Sequence, residues 1–277
     1  MISIFRTAAA CLFVSMLCLD TARSQSTVDV DGVFIGSVLH DAVSRFSGAV
    51  PAGRISQEQR NFQFKGTLGQ SYSIDAFHTL TFRQDWPDGK VDLRNLAFTS
   101  SVHRYQLFQI TRELTFPRTA QPTKSDVWRA LNEKYGDPSA LYSRYNGNGV
   151  GWVLDANMKA IPIGPNSLNP HGTLPPQHPA NCLLFAFPYQ GESASHSNAD
   201  ILNFGYTNHR VDNLWHCRIV ILATLFPGMT SDLVSKLTMT VIDFNLLRDG
   251  NKMVRDVIDQ QLQQSHREFA PGPRPRL

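Results

Sequence analysis

"YSIDAFHTLTFRQDWPDGKVDLRNLAF", Tyr72–Phe98, alternates apolar and polar residues on both sides of a Trp-Pro-Asp-Gly turn. A period of two sends successive side chains to opposite faces of a strand, and a Gly-containing turn between two such runs reads as a β-hairpin. The same alternation holds in "NFQFKGTL" from Asn61 and in "YQLFQITRELTF" up to Phe116. Four strands joined by short turns predict an antiparallel meander with one wet face.

On the N-terminal side, "VDVDGVFIGSVLHDAVSRF" spaces Leu39, Ala42, Val43 and Phe46 for one face of a helix. Ser37 stands where it can cap the start, and Asp41 lies in the first turns, where it favours the helix dipole. The following "GAVPAGRISQEQR" reads as a loop from its Gly, Pro and Gln content.

On the C-terminal side, "DVWRALNEKYGDPS", Asp126–Ser139, sets Val127, Trp128, Leu131 and Tyr135 on one helical face. Thr123 precedes Asp126 by three residues, a capping box with Asp in place of Glu. Gly136 supplies a left-handed residue at the end, and Pro138 forbids continuation. Beyond it, "GVGWVLDANMKAI" predicts a strand and a turn at Asp155-Ala156-Asn157, and residues 157–181 form a long Pro/Gly/Asn-rich loop. "CLLFAFPY" and "LWHCRIVILATLF" read as strands, the second apolar enough to be central. "DLVSKLTMTVIDF" fits a strand in a hairpin around "PGMTSD" or a short helix, and Met253, Val254, Val257, Ile258 and Leu262 mark a closing helix within 247–264. The expected class is therefore α+β, antiparallel sheet meanders backed by helices, in a tandem repeat of a helix-plus-four-strand unit. The units span residues 25–118 and 119–266, with a disordered Pro/Arg tail over 267–277.

Arg6, an apolar run from Thr7 to Leu19, and small residues at Ala22 and Ser24 have the form of a secretory signal over residues 1–24. The expected product is periplasmic or secreted after cleavage near Ser24, with no membrane span, since no run reaches about 20 apolar residues. The chain has 277 residues and a formal charge of +3, from which losing Arg6, Arg23 and Asp20 removes one unit. So small and scattered a charge excludes a nucleic-acid footprint.

Cys11 and Cys18 lie within the signal, so Cys182 and Cys217 remain. Two cysteines in an oxidising compartment are expected to pair. The competing reading gathers His171, His178, His209 and His216 with these cysteines around zinc, because imidazole and thiolate are its ligands. The spacings are irregular and include no Cys-x-x-Cys or His-x-x-x-His pair, which favours the disulfide and no cofactor. "QGESASHS" lacks a strand-to-helix elbow, no glycine-rich phosphate loop precedes a helix, and Asp75, Asp155 and Asp243 read as turn and strand-edge residues. Aromatic residues crowd the first meander, among them Phe64, Tyr72, Phe82, Phe98, Tyr105, Phe108 and Phe116. They form either core or a partner-binding face.

Gly32, Ile35, Gly36 and Ser37, with Ala42 and Phe46 on the helix, and later Tyr135, Gly136 and Pro138, carry a resemblance. They resemble the motifs of the periplasmic domains shared by the outer-membrane assembly lipoprotein BamE (SmpA, OmlA) and β-lactamase inhibitory protein. The match covers about 30 residues in two places. It implies a helical layer behind a four-stranded meander and, in the tandem form, a sheet offered to another envelope or secreted protein. The chain departs from that pattern in showing one helix before each set of strands and in lacking the lipid-bearing cysteine. The residues together favour a non-catalytic protein-binding module over the alternative, a secreted hydrolase or metal-binding protein with its site in the 157–216 loops.

Overall fold

The computed structural model describes residues 28–30, 32–49, 54–65, 69–144, 147–163, 178–186 and 216–268. A short hairpin, β1 (Asp29–Val30) and β2 (Val33–Phe34), leads into helix α1 (Leu39–Ala49). Strands β3 (Arg54–Lys65), β4 (Ser71–Asp85), β5 (Val91–Phe98) and β6 (Leu107–Thr115) follow as a meander. Helix α2 (Lys124–Tyr135) opens the second unit, which continues with β7 (Ala140–Arg144), β8 (Gly147–Leu154), a short helix α3 (Ala180–Ala186), β9 (Ile219–Pro227) and β10 (Val234–Asp243). The closing helix α4 covers Phe244–Glu268.

The eight long strands form one antiparallel sheet in the order β3-β4-β5-β6-β10-β9-β8-β7. Among the described residues each unit has a helix followed by four strands, with α3 inserted in the second, and the last strand of one unit pairs with the last strand of the other, Thr111 opposite Thr240. The boundary expected near residue 118 falls between β6 and α2, and the β6–β10 ladder joins the units into a single sheet. Helices α1 and α2 lie on the same face, over Phe82, Leu96, Ile110, Met239, Ile221 and Trp152. Helices α3 and α4 cover part of the other face, where Leu183, Leu222, Ile242 and Phe244 form a second core.

Local chemistry accounts for these boundaries. The Thr123 hydroxyl accepts from the Asp126 amide at 3.1 Å and donates to the Asp126 carboxylate at 2.7 Å, so the Asp-type capping box is formed. Gly136 ends α2 at φ 77°, as the glycine implied. Its ψ of −165° is extended rather than left-handed helical, a region open essentially to glycine. The Gly136 carbonyl then accepts from Trp152 Nε1 at 2.9 Å, which ties the helix stop to β8. In the first hairpin the Trp86 amide donates to the Lys90 carbonyl and Gly89 takes φ 89°. The closing helix runs longer at both ends than 247–264, and its early start is set by Asp243, whose Oδ1 accepts from the Asn245 and Leu246 amides.

Three readings are corrected. Residues 54–60 form the start of β3 and not a loop: as an edge strand with Ile55–Gln59 all exposed, it needs no apolar alternation. "CLLFAFPY" is not a strand over its described part. Residues 182–186 belong to α3, which seats Cys182, Leu183 and Ala186 on the sheet. A five-residue apolar run has no polar face to reveal its period. Leu183 reaches the sheet because Gly151 below it has no side chain: a Cβ there would sit 2.6 Å from Leu183 Cδ2. Finally, Ala140–Arg144 adds an edge strand, β7, which the sequence reading omitted.

Candidate functional site

Helix α2 presents Val127, Ala130, Leu131, Lys134 and Tyr135 along one stripe at helical spacing. Beneath it lie two directly opposed cross-strand pairs of the β6–β10 seam, Arg112 with Met239 and Leu114 with Leu237. Wall and floor enclose a cleft of about 220 Å³, closed on one side by Val30 of β1. The β1 strand is held there by α2: Tyr135 OH donates to the Asp29 carbonyl at 3.2 Å, and Lys134 Nζ reaches the Asp29 carboxylate at 3.3 Å. The cleft is thus apolar inside and carries two cations, Arg112 and Lys134.

Arg112 owes its position to a buried carboxylate. Asp92 of β5, 2% exposed, accepts two hydrogen bonds from Arg112, at 3.1 and 2.7 Å. It also accepts from Arg94 Nε and Nη2, the latter at 2.7 Å. Arg94 in turn lies over the Phe46 ring of α1, 5.3 Å from its centroid. Burial works to raise the Asp92 pKa, but hydrogen bonds from Arg94 and Arg112 outweigh it and hold the carboxyl below its usual range. One carboxylate thus bridges two guanidiniums, one from β5 and one from β6.

The cysteine and histidine candidates divide. Cys182 and Cys217 are joined as a disulfide between α3 and the segment entering β9. His216 Nε2 lies 3.5 Å from Cys182 Sγ, and the three residues bring their ligand-type atoms within 4.8 Å of one another. Burial lowers the His216 pKa. His178 accepts the Ala180 amide on Nδ1 at 3.2 Å and so starts α3. His171, His209 and the "QGESASHS" stretch lie outside the described residues. A disulfide holds no thiolate, so the sulfurs are not metal ligands in this state.

The three aspartates are found in structural roles. Asp155 accepts the Asn157 and Lys159 amides in the β8 turn, and Asp243 caps α4 while burial raises its pKa. Asp75 accepts the Ser101 amide at 2.9 Å, pinning β4 to the turn before β6. Most of the described aromatics belong to the core: Phe82, Phe98 and Phe108 are buried, and Phe116 and Tyr105 pack against it.

Phe64 and Tyr72 differ. β4 pairs with β5 only from His78 onward, so the far half of the β3–β4 hairpin extends past the sheet as a two-stranded arm. There Phe64 and Tyr72 sit opposite each other and stack at 5.3 Å, on the same side as Ile74. Gln63, Ser71 and Ser73 occupy the other side. Comparison with protein-family models, with characterised proteins and with solved structures finds no match to this chain.

Proposed function

We propose that this protein is a non-catalytic protein-binding module of the bacterial envelope, engaging its partner through the β3–β4 arm. The observation that carries this reading is the arm itself: a ribbon beyond the sheet with an aromatic side and a polar side, continuous with the exposed edge strand β3. Edge strands offer unpaired backbone groups for strand addition, and aromatic residues supply contact area at small entropic cost. Asp75 fixes the base of the arm to the Ser101 turn, which makes it a held element. The N-terminal signal features and the Cys182–Cys217 bond support an oxidising compartment, as does the motif resemblance to periplasmic domains. Among the described residues no helix is long and apolar enough to cross a membrane.

A photo-crosslinking residue at Tyr72, compared with one at Leu141, tests the reading. Leu141 is 69% exposed on the opposite edge strand β7 and serves as the control. The expected result is one discrete adduct from position 72, none from 141, and loss of the adduct on Phe64→Ala. Equal labelling from both positions, or none from 72, would remove the arm as the binding element.

The second reading, a metal-binding protein or hydrolase in the 157–216 region, is favoured by one observation: His216 beside the Cys182–Cys217 pair. It requires the two sulfurs as thiolates. Alkylation of the native protein without reduction separates the two states, and two labelled cysteines would favour this second reading.

A further inference from the structure

We infer that reduction of the Cys182–Cys217 disulfide creates a zinc site from Cys182, Cys217 and His216, so that α3 is tied to the start of β9 by a sulfur–sulfur bond in one redox state and by a metal ion in the other. The spacing is already that of donors around a shared ion. Zinc bonds thiolate at about 2.3 Å and imidazole at about 2.0 Å, so the two stand about 3.5 Å apart on one tetrahedral ion. His216 Nε2 lies 3.5 Å from Cys182 Sγ, and the three donor atoms all fall within 4.8 Å of one another. Two thiolates and an imidazole are a set that selects zinc over magnesium or calcium. His216 is partly exposed, which leaves the fourth position of the ion to water.

More than their own bond holds the two sulfurs together. On the α3 side, the Cys182 amide donates to the Pro179 carbonyl at 3.1 Å, and Leu183 fills the notch over Gly151. On the other side Arg218, the residue after Cys217, donates its amide to the Leu154 carbonyl at 2.8 Å and accepts from the Phe244 amide at 2.7 Å. Both cysteines are fully buried in the second core, with Val220 and Phe244. Packing therefore keeps the sulfurs beside His216 once their bond is broken, and little ordering is left for the ion to impose.

The conversion balances in two steps. A dithiol reductant passes two electrons and two protons to the disulfide and is itself oxidised to a disulfide, which leaves Cys182 and Cys217 as thiols. Zinc then displaces both thiol protons to water and bonds the two sulfurs and His216 Nε2. The inference goes beyond the arm, none of whose residues it uses. It differs from the second reading above in keeping the disulfide as the native state.

Zinc titration of the full chain carrying Cys11→Ser and Cys18→Ser tests it, because Cys182 and Cys217 are then its only cysteines. The oxidised protein is expected to keep no zinc through gel filtration. After reduction with a phosphine, which is oxidised to its oxide, the chain should keep one zinc with two sulfur and two nitrogen or oxygen neighbours in X-ray absorption. His216→Ala, at a partly exposed position, should form the disulfide as wild type does and, once reduced, bind zinc at least about tenfold more weakly. Hydrogen exchange in α3 should accelerate on reduction and slow again when zinc is added. Reduced protein that keeps no zinc, oxidised protein that keeps as much, wild-type affinity in the variant, or α3 exchange indifferent to zinc would each overturn the inference. So would a shell of four sulfurs, which would mean an ion shared between two chains. Should the variant fail to fold, the X-ray absorption of wild type decides, since a shell without an imidazole nitrogen excludes His216. Two cysteines alkylated in the unreduced protein would support the second reading and overturn this one.

Discussion

In the second unit, β9 buries every residue from Ile219 to Leu225, so both of its faces are covered. In the first, β3 exposes every residue from Ile55 to Gln59. Both strands belong to helix-plus-four-strand units of the same connectivity and to the same sheet. The difference follows from what covers them. β8 and β9 lie between α2 on one side and α3 on the other, and strands buried on both faces become continuous apolar runs. β3 is the last strand on its side, bordered by β4 alone. Even within the helix-covered face the units diverge. Under α2 the sheet offers Trp152 to Tyr135 at 5.5 Å, whereas under α1 it offers Arg94, held by Asp92, to the Phe46 ring. Connectivity is thus compatible with either solution. Burial decides which unit concentrates stability and which keeps an exposed edge.

The strongest challenge to this contrast is Trp152→Ala. The ring is fully buried, packs on Tyr135 and donates to the Gly136 carbonyl, so the loss is expected to be about 4 kcal/mol in urea denaturation. A loss below about 1 kcal/mol would break the assignment of stability to the second unit.

Next is Asp92→Asn, which leaves two guanidiniums facing each other without their carboxylate and should cost about 3 kcal/mol near neutral pH. Because the folded pKa of Asp92 is depressed, its contribution is complete above the unfolded value of about 3.9 and is lost as pH falls through the folded value. The stability gap between wild type and Asp92→Asn should therefore stay constant from pH 7 to about 5 and close in more acidic solution. A gap that persists unchanged at pH 2 would mean packing, not charge, holds the cluster.

The smallest effect is expected in the arm. Tyr72→Ala removes a cross-strand stack made outside the main sheet, worth about 0.5 kcal/mol. A melting temperature several degrees below wild type would make the arm part of the core and blur the comparison.

What could be read in the sequence was short in range. Thr123, Asp126 and Gly136 act within one helix, and the Trp-Pro-Asp-Gly turn acts within one hairpin, so each declared itself. The pairing of Cys182 with Cys217 followed from there being two cysteines outside the signal-like stretch. The α3 segment was misread because helix and buried strand look alike over the five apolar residues 182–186. The start of β3 was missed because a wet edge strand need not alternate. The cleft was beyond reach for a different reason. Its floor depends on Arg112 standing opposite Met239 and beside Asp92, and that register belongs to strands far apart in the chain.

The central β6–β10 ladder also governs how the molecule can be made. Its partners, such as Thr115 and Lys236, are about 120 residues apart, whereas every other ladder of the sheet joins strands that follow one another among the described residues. A chain that emerges N-terminus first can close the first meander while β10 is still unsynthesised, leaving the backbone edge of β6 without its neighbour. Until the last strand arrives, that edge can accept a foreign strand as readily as its own. Closing that ladder spans the whole second unit, so it carries the largest loop-closure entropy of any described pairing in the sheet.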